Sequence, residues 1–144
     1  MFTETEVTNY LLHIGIPTSI LGFGYLRTAL MLALEDENCV HGITKYIYHE
    51  VARRHNTEPS RAERAIRTAV EAAWLRGDYD FQQEVFGYSI SPRKGKPTNG
   101  EFIGRSADFL KQQTTTFSSA PDSLKKEFLQ LWDMFCKQRE GVRA

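Results

Sequence analysis

The chain has 144 residues, of which 41% are hydrophobic and 25% are charged, and its formal net charge is zero. Such a chain is long enough to bury the core of one compact domain. It has no apolar run near the roughly 20 residues that cross a bilayer, and its acidic, polar amino terminus is unlike a signal peptide. We therefore expect a soluble, cytoplasmic protein that is not an indiscriminate polycation.

Catalytic and metal-binding motifs are not found. The two cysteines, Cys39 and Cys136, lack metal or redox spacing and are expected to be reduced thiols. His49, Glu50 and His55 resemble part of a zinc-protease helix, but two ligands on one helical face must lie four residues apart, and the position four residues after His49 is Arg53. The sequence therefore predicts no enzyme activity, no metal and no cofactor.

Helical periodicity dominates the chain and predicts an all-α protein. We expect a compact bundle of about six helices, followed by an extra amphipathic helix at the carboxyl end. In chain order the predicted helices cover residues 3–14, 22–35, 44–55, about 60–76, 80–86, about 99–110 and 122–139. The predicted organisation is an effector domain over 1–111, a linker over 112–121 and the last helix within 122–144. That helix either packs back onto the domain or forms a dimer contact.

A helix-turn-helix unit is predicted in the middle of the chain. A supporting helix over 44–55 is followed by a polar turn at Asn56 and Thr57. Ser60 and Glu63 fit a capping box for the second helix, and Thr57 is a competing N-cap. Two helices joined by so short a turn are the arrangement that places the second one in a DNA major groove.

The second helix of this unit separates its apolar side chains from its basic ones. At about 100° per residue, one broad arc is apolar and the other is polar, with Glu63 at the boundary. The apolar arc holds Ala62, Ala65, Ile66, Ala69, Val70, Ala73 and Trp74, and the polar arc holds Ser60, Arg61, Arg64, Arg67 and Thr68. A row of guanidinium groups on the side of the helix opposite its buried face suits binding in a major groove. The alternative is a solvated charged face on an ordinary amphipathic helix.

The charge of the chain is distributed unevenly. Residues 1–40 have a net charge of −4, while residues 41–68 have a net charge of +3. This asymmetry favours a local nucleic-acid-binding patch on a neutral protein, and it fits an acidic protein partner equally well.

Four segments together resemble a known family. In order, they are HIGIPTSILGFGYLRTAL, GITKYIYHEVARRHNTEPSRAERAIRTAVEAAWLRG, FGYSIS and KGKPTNGEFIG. They resemble the carboxy-terminal effector domain of the stage-zero A sporulation response regulators, from about Thr8 to Leu110. The resemblance implies an all-helical domain that binds double-stranded DNA through a helix-turn-helix and regulates transcription in sporulation.

The resemblance also implies which residues contact DNA. Positions matching Arg61, Glu63 and Arg64 would contact bases of a short operator box similar to TGTCGAA. Arg pairs well with guanine, and Glu accepts a hydrogen bond from cytosine N4, so the chemistry agrees. The residues expected near the groove or the phosphates are Arg53, Arg54, Thr57, Ser60, Arg67, Thr68, Lys94 and Lys96.

Two further expectations concern protein partners. Residues 77–90 resemble the region that contacts the sigma subunit of RNA polymerase, with Asp78, Asp80 and Phe86 as candidate contacts; core packing is the alternative for Phe86. The chain begins about ten residues before the resembling segment, so a phosphoacceptor receiver domain is not expected unless the chain is a fragment. A homodimer on tandem sites is a further candidate. The alternative function is an interaction protein that binds a sigma factor or a homologous regulator.

Overall fold

The structure is a computed structural model that describes residues 2–35, 43–87, 95–119, 123 and 126–134, with the side chains of 43–45 and 114–119 excepted. Within these ranges all the regular structure is helical, as predicted. Six helices are α1 (Glu4–Ile14), α2 (Leu21–Glu35), α3 (Ile43–Arg54), α4 (Pro59–Arg76), α5 (Tyr79–Phe86) and α6 (Asn99–Ser119). Residues 126–134 form a further helix. The chain divides into two compact units, 1–109 and 110–144, and the helix-turn-helix lies in the first.

Local signals in the sequence account for both ends of α1. The Thr3 hydroxyl accepts a hydrogen bond from the Glu6 N–H at 3.2 Å, and the Glu6 carboxylate accepts one from the Thr3 N–H at 2.8 Å. This reciprocal capping box satisfies two backbone donors that a helix start leaves without partners. At the other end Gly15 has φ 105°, the left-handed conformation that favours glycine, and its N–H bonds to Leu11.

Helix α2 packs against both helices of the helix-turn-helix, α3 and α4. It also packs against α1, and its interior side chains, including Leu26 and Leu30, are fully buried. At Gly22 a Cβ atom would lie 2.3 Å from the carbonyl oxygen of Ala65 in α4. The absence of a side chain at this glycine lets the two helix backbones approach closely, which sets the position of α4.

The start of α4 differs from the predicted cap. The helix begins at Pro59, and its N-cap is Glu58, whose side chain makes no capping hydrogen bond. The predicted capping box of Ser60 and Glu63, and the competing N-cap at Thr57, are therefore wrong. Proline at the first helical position has a preset φ and no N–H to satisfy, so the helix starts there and Ser60 falls inside its first turn.

The turn between α3 and α4 lies where it was predicted. Asn56 adopts φ 53°, a left-handed conformation that asparagine tolerates better than most residues. The Thr57 N–H then donates to the Ala52 carbonyl at 2.9 Å. A backbone hydrogen bond therefore closes the turn within a few residues.

A buried glutamine holds the far end of α4. Gln82 of α5 is 3% exposed. Its Nε2 donates to the carbonyls of Ala73 at 2.8 Å and Ile14 at 3.1 Å. The Ile14 carbonyl lies in the last turn of α1, where carbonyls lack intrahelical partners, and the Ala73 carbonyl also accepts from the Gly77 N–H; one amide therefore joins the ends of two helices. The two hydrogen bonds of Gln82 join α1, α4 and α5 and limit movement of α4.

Helix α6 is longer than predicted. The Thr98 hydroxyl accepts from the Glu101 N–H at 3.2 Å, in agreement with the predicted start. The predicted end near Leu110 is wrong, because the helix runs to Ser119 and includes 112–119, which were expected to belong to a linker. Weak helix formers such as threonine do not stop an established helix, and no proline or glycine intervenes before Pro121.

Candidate nucleic-acid interface

The inner face of α4 is buried as the helical pattern predicted. Ala62, Ile66, Ala69 and Ala73 are fully buried, and Val70 is 2% exposed. Ala65 and Trp74, the other members of the predicted arc, are partly buried. Because one side of α4 is held in the core, the opposite side has a defined orientation toward solvent.

The outer face of α4 carries the predicted DNA-contacting residues. Ser60, Arg61, Arg64, Arg67 and Thr68 are all exposed. Arg61 and Arg64 are three residues apart and therefore neighbours on one face. Among the described residues, neither of these two guanidinium groups has a carboxylate partner. Both are consequently available to an external acceptor.

Glu63 lies at the boundary of this face and is already engaged. Its carboxylate accepts a hydrogen bond from Arg67, one turn further along α4, and its side chain is 33% exposed. The Glu63 carboxylate raises the pKa of the Arg67 guanidinium. The structure therefore brings the predicted base contact Glu63 and the predicted near-groove residue Arg67 into one ion pair.

A second basic cluster lies at the end of α3. Arg53 Nε donates to one Glu50 oxygen at 3.2 Å, and Arg53 Nη2 and Arg54 Nε donate to the other at 2.5 and 3.0 Å. These hydrogen bonds lower the pKa of the Glu50 carboxyl to about 2. Both predicted phosphate contacts thus share one ionised carboxylate. The spacings i,i+3 and i,i+4 are a sequence signal for such pairs, although the sequence analysis did not pair Glu50 with these arginines.

The loop before α6 and the first residue of α6 contact α4. Lys96 donates to the Glu71 carboxylate at 2.9 Å, and this contact lowers the pKa of Glu71. Asn99 Nδ2 donates to the Glu63 carbonyl at 3.0 Å. These two bonds place Lys96 beside α4, on the side of Glu63. Lys94, the other predicted phosphate contact of this loop, lies outside the described residues.

The three hydroxyl residues predicted to lie near the groove or the phosphates differ in exposure. Thr57 is partly buried in the turn, whereas Ser60 and Thr68 are exposed on α4. The Thr68 hydroxyl donates to the Arg64 carbonyl at 3.1 Å, so its oxygen can still accept a hydrogen bond. The structure therefore leaves the hydroxyls of Ser60 and Thr68 better placed for an external ligand than that of Thr57.

His55, at the end of the supporting helix, was not identified as functional from the sequence. Its Nε2 lies 2.7 Å from the Thr28 hydroxyl oxygen, and its ring centroid is 4.8 Å from that of Tyr25. Burial lowers its pKa from the ordinary value, and the charges of Arg27 and Arg54 lower it further. His55 thus attaches the turn of the helix-turn-helix to α2 in its neutral form.

The candidate sigma-contact residues have different environments. Phe86 is 1% exposed and packs on Phe102 and Trp74, so its side chain cannot contact a partner; the core-packing alternative describes it. Asp78 caps α5 by accepting from the Phe81 N–H at 3.1 Å. Asp80 is exposed in the first turn of α5.

An all-helical domain whose helix-turn-helix presents arginines on the outer face of its second helix belongs to the class of DNA-binding domains. The family model described as "Sporulation initiation factor Spo0A C terminal" matches residues 7–110. The chain belongs to this family, which confirms the resemblance seen in its sequence. Its effector domain is thus that of a DNA-binding sporulation regulator with double-stranded DNA as its partner, and the family is one of transcription factors rather than enzymes.

No helix in the described part of the chain has both the length and the apolar character that crossing a membrane requires.

Proposed function

We propose that this protein is a sequence-specific transcriptional regulator that places α4 in the major groove of a short operator box. In this proposal Arg61, Glu63 and Arg64 contact base edges. The observation that carries it is the pair Arg61 and Arg64, exposed on a helix whose other face is buried and without carboxylate partners among the described residues. Guanine presents O6 and N7 in the major groove, which a guanidinium fork can bind with two hydrogen bonds.

Glu63 contributes to specificity by exchanging one partner for another. Before DNA binds, its carboxylate accepts from Arg67. A cytosine N4 amine is a base donor that a carboxylate pairs with in the major groove. When Glu63 turns to that donor, Arg67 is released toward a phosphate. A base without a donor at this position leaves the carboxylate facing acceptors, which penalises incorrect sequences.

The remaining cations and hydroxyls position the domain on the backbone. Arg53 and Arg54 project from the exposed end of α3, and Lys96 is exposed beside α4. Such groups bind phosphates without recognising sequence, and their contacts fix the register in which α4 enters the groove. Thr57, Ser60, Thr68 and Lys94 are assigned to the same role.

The test is fluorescence anisotropy with a labelled duplex that carries a TGTCGAA box and with a scrambled duplex of the same composition. Each is titrated with protein at several salt concentrations. We expect tighter binding to the box, with a salt dependence that reports the phosphate contacts. Equal binding to both duplexes would contradict sequence-specific recognition of this box, and selection from a random duplex library would then show whether another box is preferred.

A matched pair of variants assigns the recognition to one face of α4. Arg64→Ala removes a predicted base contact, and Arg76→Ala removes an exposed arginine at the far end of the same helix. Only Arg64→Ala should reduce the preference for the box. A similar loss from Arg76→Ala would indicate that total charge, rather than the outer face near the turn, governs binding.

A second candidate function is a contact with the sigma subunit of RNA polymerase. Leu75 and Tyr79 are 84% and 69% exposed where α4 is followed by α5, and they flank the exposed Asp78. Apolar side chains rimmed by acids suit a basic protein surface. Polymerase retained by an Arg61→Ala protein, and lost with Tyr79→Ala, would support this contact. Retention that is unaffected by Tyr79→Ala would place it elsewhere.

Occupation of tandem sites by two copies is the third element of the proposal. Binding stoichiometry by sedimentation, measured with one box and with two adjacent boxes, distinguishes independent binding from a homodimer. Cooperative binding to the double box would support the dimer. Two equal and independent affinities would contradict it.

A further inference from the structure

The basic residues near the proposed interface fall into two groups. Every described cation assigned to phosphates or to the edge of the groove has a carboxylate partner, while the two arginines assigned to bases have none among the described residues. The pairs are Arg53 and Arg54 with Glu50, Arg67 with Glu63, and Lys96 with Glu71.

Glu50 differs from the other two carboxylates because it holds two arginines at once. Its Oε1 accepts from both Arg53 and Arg54, and its Oε2 accepts a second hydrogen bond from Arg53. The Glu50 side chain is only 18% exposed, whereas those of Arg53 and Arg54 are 70% and 44% exposed. The carboxylate therefore lies beneath two guanidinium groups that remain accessible to DNA.

This arrangement has two physical consequences for phosphate binding. The three side chains have a combined charge of +1 rather than the +2 of the two arginines alone, because the Glu50 carboxyl is ionised at neutral pH; the hydrogen bonds from the arginines lower its pKa further, to about 2. The shared carboxylate also restricts the rotamers of two long side chains that would otherwise sample many directions. Arg53 and Arg54 can then meet phosphates well only where the backbone passes in one position.

Specific and non-specific DNA complexes respond differently to such a restriction. Non-specific binding depends almost entirely on phosphate contacts, and the protein occupies many registers on the duplex. In a specific complex the base contacts select one register, so a prearranged pair of arginines costs less entropy to dock. A fixed arginine pair with reduced charge therefore disfavours arbitrary DNA more than the cognate site.

We propose that Glu50 is a specificity-determining residue: it holds Arg53 and Arg54 in one arrangement and thereby weakens binding to non-cognate DNA more than binding to the operator. The inference rests on the proposed function, because it requires a cognate box. Glu50 touches no DNA in this scheme and acts as a positioning residue through the two arginines.

The test compares Glu50→Gln with Glu84→Gln in the anisotropy assay on the box and the scrambled duplex. Both substitutions remove one negative charge, and Glu84 is exposed on α5, outside the proposed interface. For Glu50→Gln we expect scrambled-duplex affinity to rise about 3- to 10-fold, box affinity to rise less, and the salt slope to steepen by about one phosphate contact. Glu84→Gln should leave the ratio of the two affinities unchanged.

A double-mutant cycle checks that Glu50 acts through the arginines. In an Arg53→Ala/Arg54→Ala background, Glu50→Gln should no longer alter the ratio of box to scrambled affinity. Thermal unfolding of each variant confirms that it is folded. Equal gains on both duplexes, a change no larger than that of Glu84→Gln, or a persistent effect without the arginines would each overturn the inference. A wild-type protein that fails to prefer the box would instead contradict the proposed function.

Discussion

The two arginine clusters of this domain contain the same residue type in opposite electrostatic settings. On α4, Arg61 and Arg64 are exposed without carboxylate partners among the described residues, whereas at the end of α3, Arg53 and Arg54 share Glu50. An unpaired guanidinium on a rigid helix can bind the edge of a base with two hydrogen bonds. A paired one offers less net charge and a narrower choice of direction. The comparison teaches that the partner of an arginine, as well as its presence, determines what it can recognise.

The largest expected effect comes from truncating a buried side chain beneath the outer face of α4. Ile66 is fully buried on the inner face of α4, and Ile66→Ala should lower the free energy of unfolding by about 2–5 kcal/mol. Urea unfolding followed by circular dichroism measures this. Leu75→Ala is the matched control, because Leu75 is 84% exposed on the same helix and its truncation should change stability by less than about 0.5 kcal/mol. Similar losses for both would contradict the assigned inner face.

The next largest effect is a loss of DNA affinity that depends on the DNA sequence, and it distinguishes the arginines of α4 from those of α3. Arg61→Ala or Arg64→Ala should weaken binding to the box by about 1–3 kcal/mol, because the bidentate contact to a base is lost. Binding to the scrambled duplex should change little in comparison. Isothermal calorimetry or anisotropy on both duplexes gives the two values. If each variant weakens binding to both duplexes by the same amount, these arginines bind phosphates and the contrast between the clusters disappears.

A smaller effect is expected at the end of α3. Arg54→Ala should weaken binding to both duplexes and reduce the magnitude of the salt slope by about one, because a phosphate contact is lost. The loss should be somewhat larger on the box, where Glu50 holds Arg54 in the matching position. The slope of log affinity against log salt concentration, measured for wild type and variant, is the readout. A selective loss on the box with no change in the salt slope would assign Arg54 to base recognition instead.

The smallest expected effect concerns pH. The pKa of His55 is lowered below its ordinary value of 6.5 by burial and by the nearby arginines, so the folded state favours the neutral ring. The resulting stability is present above pH 6.5 and is lost as the pH falls through the lowered folded-state pKa. The fall in melting temperature between pH 7.5 and 5.5 should therefore be smaller in His55→Gln than in wild type. An identical fall in both proteins would exclude this contribution.

Periodicity made the outer and inner faces of α4 predictable from the sequence. A 3.6-residue repeat assigns each side chain to a face with no knowledge of its neighbours, and Ile66 and Arg64 lie on the faces so predicted. The turn at Asn56 and the helix end at Gly15 were also predictable, because each depends on the local backbone preferences of the residue. The family, too, is recognised from contiguous segments that the sequence contains.

Other features were not predicted from the sequence, because they depend on groups distant in the chain, on helix cooperativity or on competing local signals. The choice between a partner contact and core packing for Phe86 was settled by its stacking on Phe102. Helix α6 passed its predicted end because local propensity is weak beside the cooperativity of an existing helix. The start of α4 followed Pro59 rather than the Ser60 capping box, since one local signal overrode another.

The sequence by itself therefore determined the helical architecture, the family and the face of α4 that points outward, because these follow from short-range periodicity and motif order. Only the three-dimensional structure decided how closely α2 and α4 approach at Gly22 and which cations have carboxylate partners, because both depend on atomic distances and rotamers. Arg54 and Arg64 are indistinguishable as letters, and the position of Glu50 makes them different.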